Sequence, residues 1–218
     1  MTGSNLGIIR SNWDSSLKQS AFKPLLFTGI ALMVILLSLL PFFFNFIEHR
    51  QGYYLNDWLL NKLPSVNVSI PIFIFIWGCV ALIVVTVIKL PSVFVQFLYA
   101  YLLLLLVRYA SIYFFPLEAP PGLIALVDPL SNSFYGAKFI TKDLFFSGHT
   151  STLFLMYFFQ NTTPKRLFTL FASLAVGILV LLQHIHYTID VIIAFPAAYL
   201  CFKTSNLFLR TFFPEVIF

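Results

Sequence analysis

Charged residues are scarce in this sequence: 8 of its 218 residues are Asp or Glu and 13 are Lys or Arg, together 10% of the chain. Soluble globular domains carry about 25% charged residues, so this composition argues against one. Cysteine is also scarce: the two cysteines, Cys79 and Cys201, lie inside apolar runs. This position favours small buried residues over a disulfide or a metal-binding pair. The basic residues are scattered over short loops, so nucleic acid is not an expected partner.

Hydrophobic residues, by contrast, make up 60% of the chain, with 27 phenylalanines and a mean hydropathy of +0.92. A bilayer core of roughly 30 Å needs about 20 apolar residues in a helix. Six runs approach that length: 25–47, 68–88, 91–117, 144–159, 167–182 and 187–202. They predict an all-α, polytopic membrane protein with six transmembrane helices in one bundle. The last three runs are short, so we expect their helices to extend into flanking polar residues.

The distribution of Lys and Arg predicts the orientation. With a cytoplasmic N-terminus, the outer loops hold only Arg50, Lys62, Lys138 and Lys142, and most other basic residues fall on the cytoplasmic side. Both termini are therefore expected in the cytoplasm. The chain divides into a cytoplasmic segment 1–24, at most a surface helix, a transmembrane domain 25–203 and a cytoplasmic tail 204–218.

Titratable residues inside membrane spans are costly and mark functional sites by default. Here they are Arg108, His149, His184, His186 and Asp190. Arg108 falls near the outer end of the third run, while His149 opens the fourth run and His186 opens the sixth from the same side. We therefore expect three helix ends to converge on one layer of the membrane.

His186 and Asp190 are four residues apart, which puts both side chains on one face of a helix. A carboxylate bonded to one ring nitrogen fixes the tautomer and leaves the other nitrogen as nucleophile or base. The alternative is a structural hydrogen bond that fills the bundle core. His184 is six residues from Asp190 and is expected to point elsewhere.

The stretch "FSGHTS" predicts an anion site at a helix start. Ser147 is a favourable N-cap and Gly148 gives backbone clearance, so the helix presents N–H groups and a positive dipole end to a phosphate. His149 can act as a general acid and Arg108 can bind phosphoryl oxygens. Lys142 is either a second cation or a solvated topology marker. No residue cluster indicates a metal or another cofactor.

These residues resemble the sphingomyelin synthase-like branch of the type-2 phosphatidic acid phosphatase superfamily. The branch motifs read approximately Gly-Asp-x-x-Phe-Ser-Gly-His-Thr and His-Tyr-Thr-x-Asp-Val. The matching residues are Asp143, Phe146, Ser147, Gly148, His149 and Thr150, then His186, Tyr187, Thr188, Asp190 and Val191. A weaker match begins at Arg108. The soluble-substrate phosphatase branch carries an arginine six residues before its second histidine, and here that position is Val180.

The resemblance implies a phosphotransferase that works through a phosphohistidine. His186 is the implied nucleophile, Asp190 orients it, and His149 is the acid and base. A phospholipid is the implied donor and a ceramide-like lipid alcohol the acceptor, at a site facing the extracytoplasmic side. Homo-oligomerisation is left open.

Two other functions remain compatible with these residues. One is a lipid phosphate phosphatase with water as the acceptor; the other is a non-enzymatic lipid transporter or scaffold, although a scaffold has no need of three costly polar groups at one depth. Asp143 and Glu118 are candidates for binding a cationic head group, with ordinary loop carboxylates as the alternative. Tyr113 is a third candidate, and a place in the interfacial aromatic belt is its alternative.

Overall fold

The computed structural model describes residues 3–126, 140–214 and 216. Lys138, which the orientation argument used, lies outside them. The described residues form seven α-helices and no β-strand. They are α1 Gly3–Leu17, α2 Phe22–His49, α3 Ser69–Lys89, α4 Pro91–Phe114, α5 Gly148–Phe159, α6 Thr163–Leu182 and α7 Thr188–Phe212. The predicted all-helical class is confirmed.

Five of these helices, α2, α3, α4, α6 and α7, are long and apolar enough to cross a membrane. The expected extension of the short runs into polar residues occurs in α6, which begins at Thr163, and in α7, which continues to Phe212. It does not occur in α5. That helix has 12 residues, and at about 1.5 Å per residue it falls well short of a bilayer core. Six spans are therefore not confirmed, and the orientation of the termini stays a prediction.

The helix α5 is short because the chain before it is not helical, although that chain is buried among other helices. Leu144 is 1% exposed and Phe146 is 2% exposed. Non-helical backbone is tolerated at membrane depth only where protein satisfies its polar groups. Arg108 Nε donates to Phe146 O at 3.0 Å, and Ser147 N donates to Asp190 O at 3.0 Å. Side chains and a neighbouring helix thus replace the missing helical bonds.

Around α5 pack α3, α4, α6 and α7, while α2 lies against the outside of α4. The interface is filled by buried apolar residues of small and medium size, which let the helices approach closely. They include Leu104, Leu153, Leu155, Ala172, Val176 and Ala194. Polar residues at the start of α5 are consequently enclosed by protein on several sides.

The N-terminal segment, where at most a surface helix was expected, forms α1, and this helix caps the end of α3. Trp13 Nε1 donates to Ile88 O at 2.8 Å and Asn12 Nδ2 donates to Lys89 O at 2.9 Å. The last carbonyls of a helix have no partner inside the helix, so these two side chains satisfy groups that would otherwise need water. The Trp13 ring also packs edge-on against Phe22.

Candidate active site

The structure brings together His149, in the first turn of α5, and His186, in the segment just before α7. Their ring centroids lie 6.5 Å apart and their planes are inclined by 66°. His186 is 2% exposed, and His149 is partly buried. The starts of the fourth and sixth runs, which we expected to converge, thus place the two imidazoles side by side.

His186 contacts Asp190, although not for the reason that the spacing suggested. His186 Nδ1 lies 3.3 Å from Asp190 Oδ2, and the carboxylate is fully buried. His186 precedes α7, however, so the two residues do not occupy one turn of a helix. Asp190 instead belongs to a capping box, in which its Oδ2 accepts a 2.9 Å bond from Tyr187 N. The cap folds the chain back and brings His186 beside the carboxylate, leaving Nε2 as the ring nitrogen turned away from it.

The predicted N-cap of α5 is also observed. Ser147 Oγ accepts a bond from Thr150 N at 3.5 Å and lies 3.1 Å from Thr150 Oγ1. Both side chains are fully buried. Because Ser147 N donates to Asp190 O, the start of α5 is tied directly to the residue that orients His186. The positive end of the α5 dipole and the imidazole pair therefore share one location.

Arg108 lies across Gly148, which explains why this position is glycine. A Cβ atom on Gly148 would lie 2.5 Å from Arg108 Cζ, 2.7 Å from Nη1 and 2.9 Å from Nε. The guanidinium is held by Phe146 O through Nε and by Asp143 Oδ1 through Nη2, at 2.7 Å. Arg108 is 9% exposed, so this ion pair is largely shielded from water.

These contacts change the interpretation of three predicted site residues. Asp143, expected at a cationic head group, is instead paired with Arg108. Lys142, expected as a second phosphate-binding cation, donates to Glu118 Oε1 at 2.9 Å and to Arg50 O at 2.6 Å. Glu118, the other head-group candidate, also accepts a 2.8 Å bond from Gly52 N. Each charge therefore has a partner within the protein.

Tyr113 lies at the outer end of α4 and is 54% exposed. Its ring stacks on Phe46 of α2, with centroids 6.0 Å apart, and makes an edge contact with Phe114. This arrangement fits the aromatic belt better than a cage that encloses a ligand cation. His184, as expected, faces away from the two site histidines, with its ring nitrogens 2.8 Å from Pro121 O and 3.2 Å from Leu63 O.

Two residues near the site were missed by the sequence analysis. Asp57, in the loop between α2 and α3, accepts a 2.6 Å bond from Thr188 N at the start of α7. Arg50, considered only as a charge for topology, donates to Tyr113 O at 2.9 Å and to Ile112 O. Arg50 thereby satisfies the last carbonyls of α4. No local sequence pattern marks Asp57 or Arg50 for these contacts, because Thr188, Ile112 and Tyr113 are distant from them in sequence.

Two loop carboxylates near the site have lowered pKa values. Burial raises the pKa of Asp57, but hydrogen bonds from Leu60 N and from Thr188 outweigh that effect and leave the pKa below its usual range. The pKa of Glu118 is lowered chiefly by the hydrogen bond from Lys142, against a smaller effect of burial. Both groups are therefore stabilised as carboxylates. Among the described residues no group of three His, Cys, Asp or Glu side chains is arranged to hold a metal.

Comparison with known proteins finds a match to one family model. No curated protein and no solved structure matches the chain. Residues 142–207 match a family model described as PAP2 superfamily C-terminal. The matched segment carries His149, His186 and Asp190, and the match selects no branch within the superfamily. Residues 142–207 are therefore similar to the C-terminal part of the type-2 phosphatidic acid phosphatase superfamily.

Proposed function

We propose that this protein is a membrane enzyme that moves a phosphoryl-linked head group from a phospholipid to a lipid alcohol through a phosphohistidine at His186. The observation that carries the proposal is the buried pairing of His186 with Asp190, facing His149 across 6.5 Å at a helix N-terminus. The superfamily match suggests phosphatase or phosphotransferase activity on lipid phosphates, which is the same chemistry in coarser terms.

In the first step His186 Nε2 attacks phosphorus and the bond from phosphorus to the diacylglycerol oxygen breaks. The leaving oxygen takes a proton from His149. An attacking atom stands roughly 3–3.5 Å from its target before reaction, and a general acid roughly 2.6–3.2 Å from the leaving oxygen. With ring centroids 6.5 Å apart, both imidazoles are close enough to contact one phosphoryl group. Asp190 stabilises the cationic ring of His186 while the phosphorus–nitrogen bond exists.

In the second step the hydroxyl of the acceptor lipid attacks phosphorus, His149 takes its proton, and the bond to His186 breaks. Negative charge on the equatorial oxygens is balanced by the positive end of α5 and by Arg108. Arg108 is held in place by Asp143, so its orientation is set before substrate binds. Lys142 is not assigned to this step because its ammonium is committed to Glu118 and Arg50.

A second candidate is lipid phosphate hydrolysis, with water replacing the lipid alcohol in the second step. Two observations favour it. The matching family model describes the PAP2 superfamily, which includes phosphatases, and the two carboxylates expected at a cationic head group, Asp143 and Glu118, are paired inside the protein. The two candidates share every catalytic residue and differ in the acceptor.

The experiment uses purified protein in lipid vesicles that contain a phospholipid labelled on phosphorus, with and without ceramide or diacylglycerol. A labelled phospholipid product that requires the acceptor indicates transfer, and release of labelled phosphate or head group without acceptor indicates hydrolysis. His186→Ala should abolish both products and also the acid-labile, base-stable label on the protein. His49→Ala is the matched control, since His49 ends α2 and its ring Nδ1 lies 2.7 Å from Asn45 O of the same helix. Turnover by His186→Ala equal to wild type would refute the proposal.

A further inference from the structure

The loop between α2 and α3 reaches the start of α7 through one carboxylate. Asp57 Oδ2 accepts from Thr188 N at 2.6 Å, and Asp57 Oδ1 lies 2.9 Å from the hydroxyl of Thr188. The same carboxylate accepts from Leu59 N at 3.1 Å and Leu60 N at 3.0 Å. Asp57 is therefore fixed by its own loop, and both of its carboxylate oxygens bond to Thr188, the first residue of α7.

Thr188 lies between His186 and Asp190, the two residues on which the proposed chemistry depends. Thr188 follows His186 by two positions and precedes Asp190 by two. The first amides of a helix lack intrahelical partners, and a negative charge beside them is favourable. Asp57 supplies both the acceptor and the charge, so it sets where α7 begins relative to the imidazole of His186.

A second anchor acts on the neighbouring residue from another direction. The Tyr187 hydroxyl donates to Glu118 O at 3.0 Å and accepts from Leu55 N at 3.4 Å, and the Tyr187 side chain is fully buried. Tyr187 thus fixes the segment after His186 in depth, whereas Asp57 fixes its backbone. The hydrogen bonds of both anchors go to groups other than the ring of His186, so both act on it through the peptide chain.

We infer that Asp57 is a positioning residue for the nucleophile, holding the His186–Asp190 segment at the distance from His149 that the transfer requires. This inference rests on the proposed function. It predicts that loss of the Asp57 carboxylate slows the chemical steps and leaves lipid binding intact, because misplacement of a reacting group by about 1 Å can cost about 100-fold in rate.

The test compares Asp57→Ala, Asp57→Asn and Thr188→Val in the vesicle assay, with each rate divided by the amount of folded protein. Asp57→Ala should lower kcat about 10- to 100-fold with KM within about 2-fold. Asp57→Asn keeps one acceptor oxygen and should retain more activity than Asp57→Ala. Thr188→Val keeps the amide bond and loses the hydroxyl bond, so a loss of about 2- to 10-fold is expected. Asp14→Asn is the matched control, as Asp14 lies in an exposed pair with Arg10 on α1.

The double variant Asp57→Ala/Thr188→Val should be no slower than Asp57→Ala, since both changes break one interaction. A kcat of Asp57→Ala equal to wild type per folded molecule overturns the inference, as does a raised KM with unchanged kcat. If Asp57→Ala does not fold, an unchanged kcat in Thr188→Val overturns it instead. In each case, loss of activity in His186→Ala shows that the proposed function holds even if the inference about Asp57 fails. Full activity in His186→Ala refutes both the inference and the proposed function.

Discussion

Substitution of Gly148 by alanine tests the link between Arg108 and the start of α5. The added Cβ would lie 2.5 Å from Arg108 Cζ and 2.7 Å from Nη1, far inside contact distance. A loosely held arginine would swing away at little cost. Arg108 is 9% exposed and is bonded to Phe146 O and Asp143, so the guanidinium moves only by losing charge-assisted hydrogen bonds.

The magnitude follows from two opposing contributions. Loss of a hydrogen bond to a charged group costs about 1.5–3 kcal/mol, while replacing glycine by alanine in a helix gains at most about 1 kcal/mol. A net loss of about 1–2 kcal/mol lowers Tm by about 2–8 °C in a chain of this size. Activity should fall further, about 10- to 100-fold, because the displaced Arg108 no longer faces the phosphoryl oxygens.

The assay is thermal unfolding in detergent together with turnover in vesicles. Gly7→Ala is the control, since Gly7 lies in α1 and a Cβ there meets no atom within 4 Å. That variant should keep wild-type activity and equal or slightly greater stability. If Gly148→Ala matched Gly7→Ala in both measurements, Arg108 would not be fixed against the helix start, and the assigned role of Arg108 would be wrong.

Two further predictions concern the loops and the N-terminal helix. Because the pKa of Glu118 is lowered by Lys142, the stabilisation by this ion pair is present above the ordinary Glu pKa of about 4.3 and is lost as pH falls below it. The Tm difference between wild type and Glu118→Gln should thus be constant from about pH 8 to 5 and shrink below about pH 4; a difference that grows in acid would contradict this. Trp13→Phe keeps the ring packing and removes the bond to Ile88 O, so Tm should fall by about 2–4 °C with kcat unchanged. An unaltered Tm would show that α1 does not cap α3.

Several features follow from the sequence alone because they depend on local physics. Long apolar runs must be helical in a bilayer, where every backbone polar group needs an internal partner, and this fixed the all-helical class. The N-cap role of Ser147 was predictable because a cap involves the next three residues only. The juxtaposition of His149 and His186 was also predicted, since residues that open two spans from one side lie at one depth.

The sequence was less informative where the chain departs from regular helices. The run 144–159 was predicted to be a short span, but its first four residues are not helical. Arg108 and Asp190, from other helices, satisfy backbone groups of these residues. The His186–Asp190 contact was expected within a helical turn and arises instead from a capping box. The spacing gave the correct pair for the wrong reason.

The pairing of charges was decided only by the tertiary structure. Asp143 and Lys142 are adjacent, yet Asp143 pairs with Arg108 whereas Lys142 bonds to Glu118 and to Arg50 O. Asp57 likewise bonds to Thr188, a residue distant from it in sequence. Such contacts depend on the paths of loops across the bundle, and periodicity along a chain carries no record of those paths. The sequence determined which groups are costly enough to be candidates for function, and the packing of the helices determined which partners those groups contact.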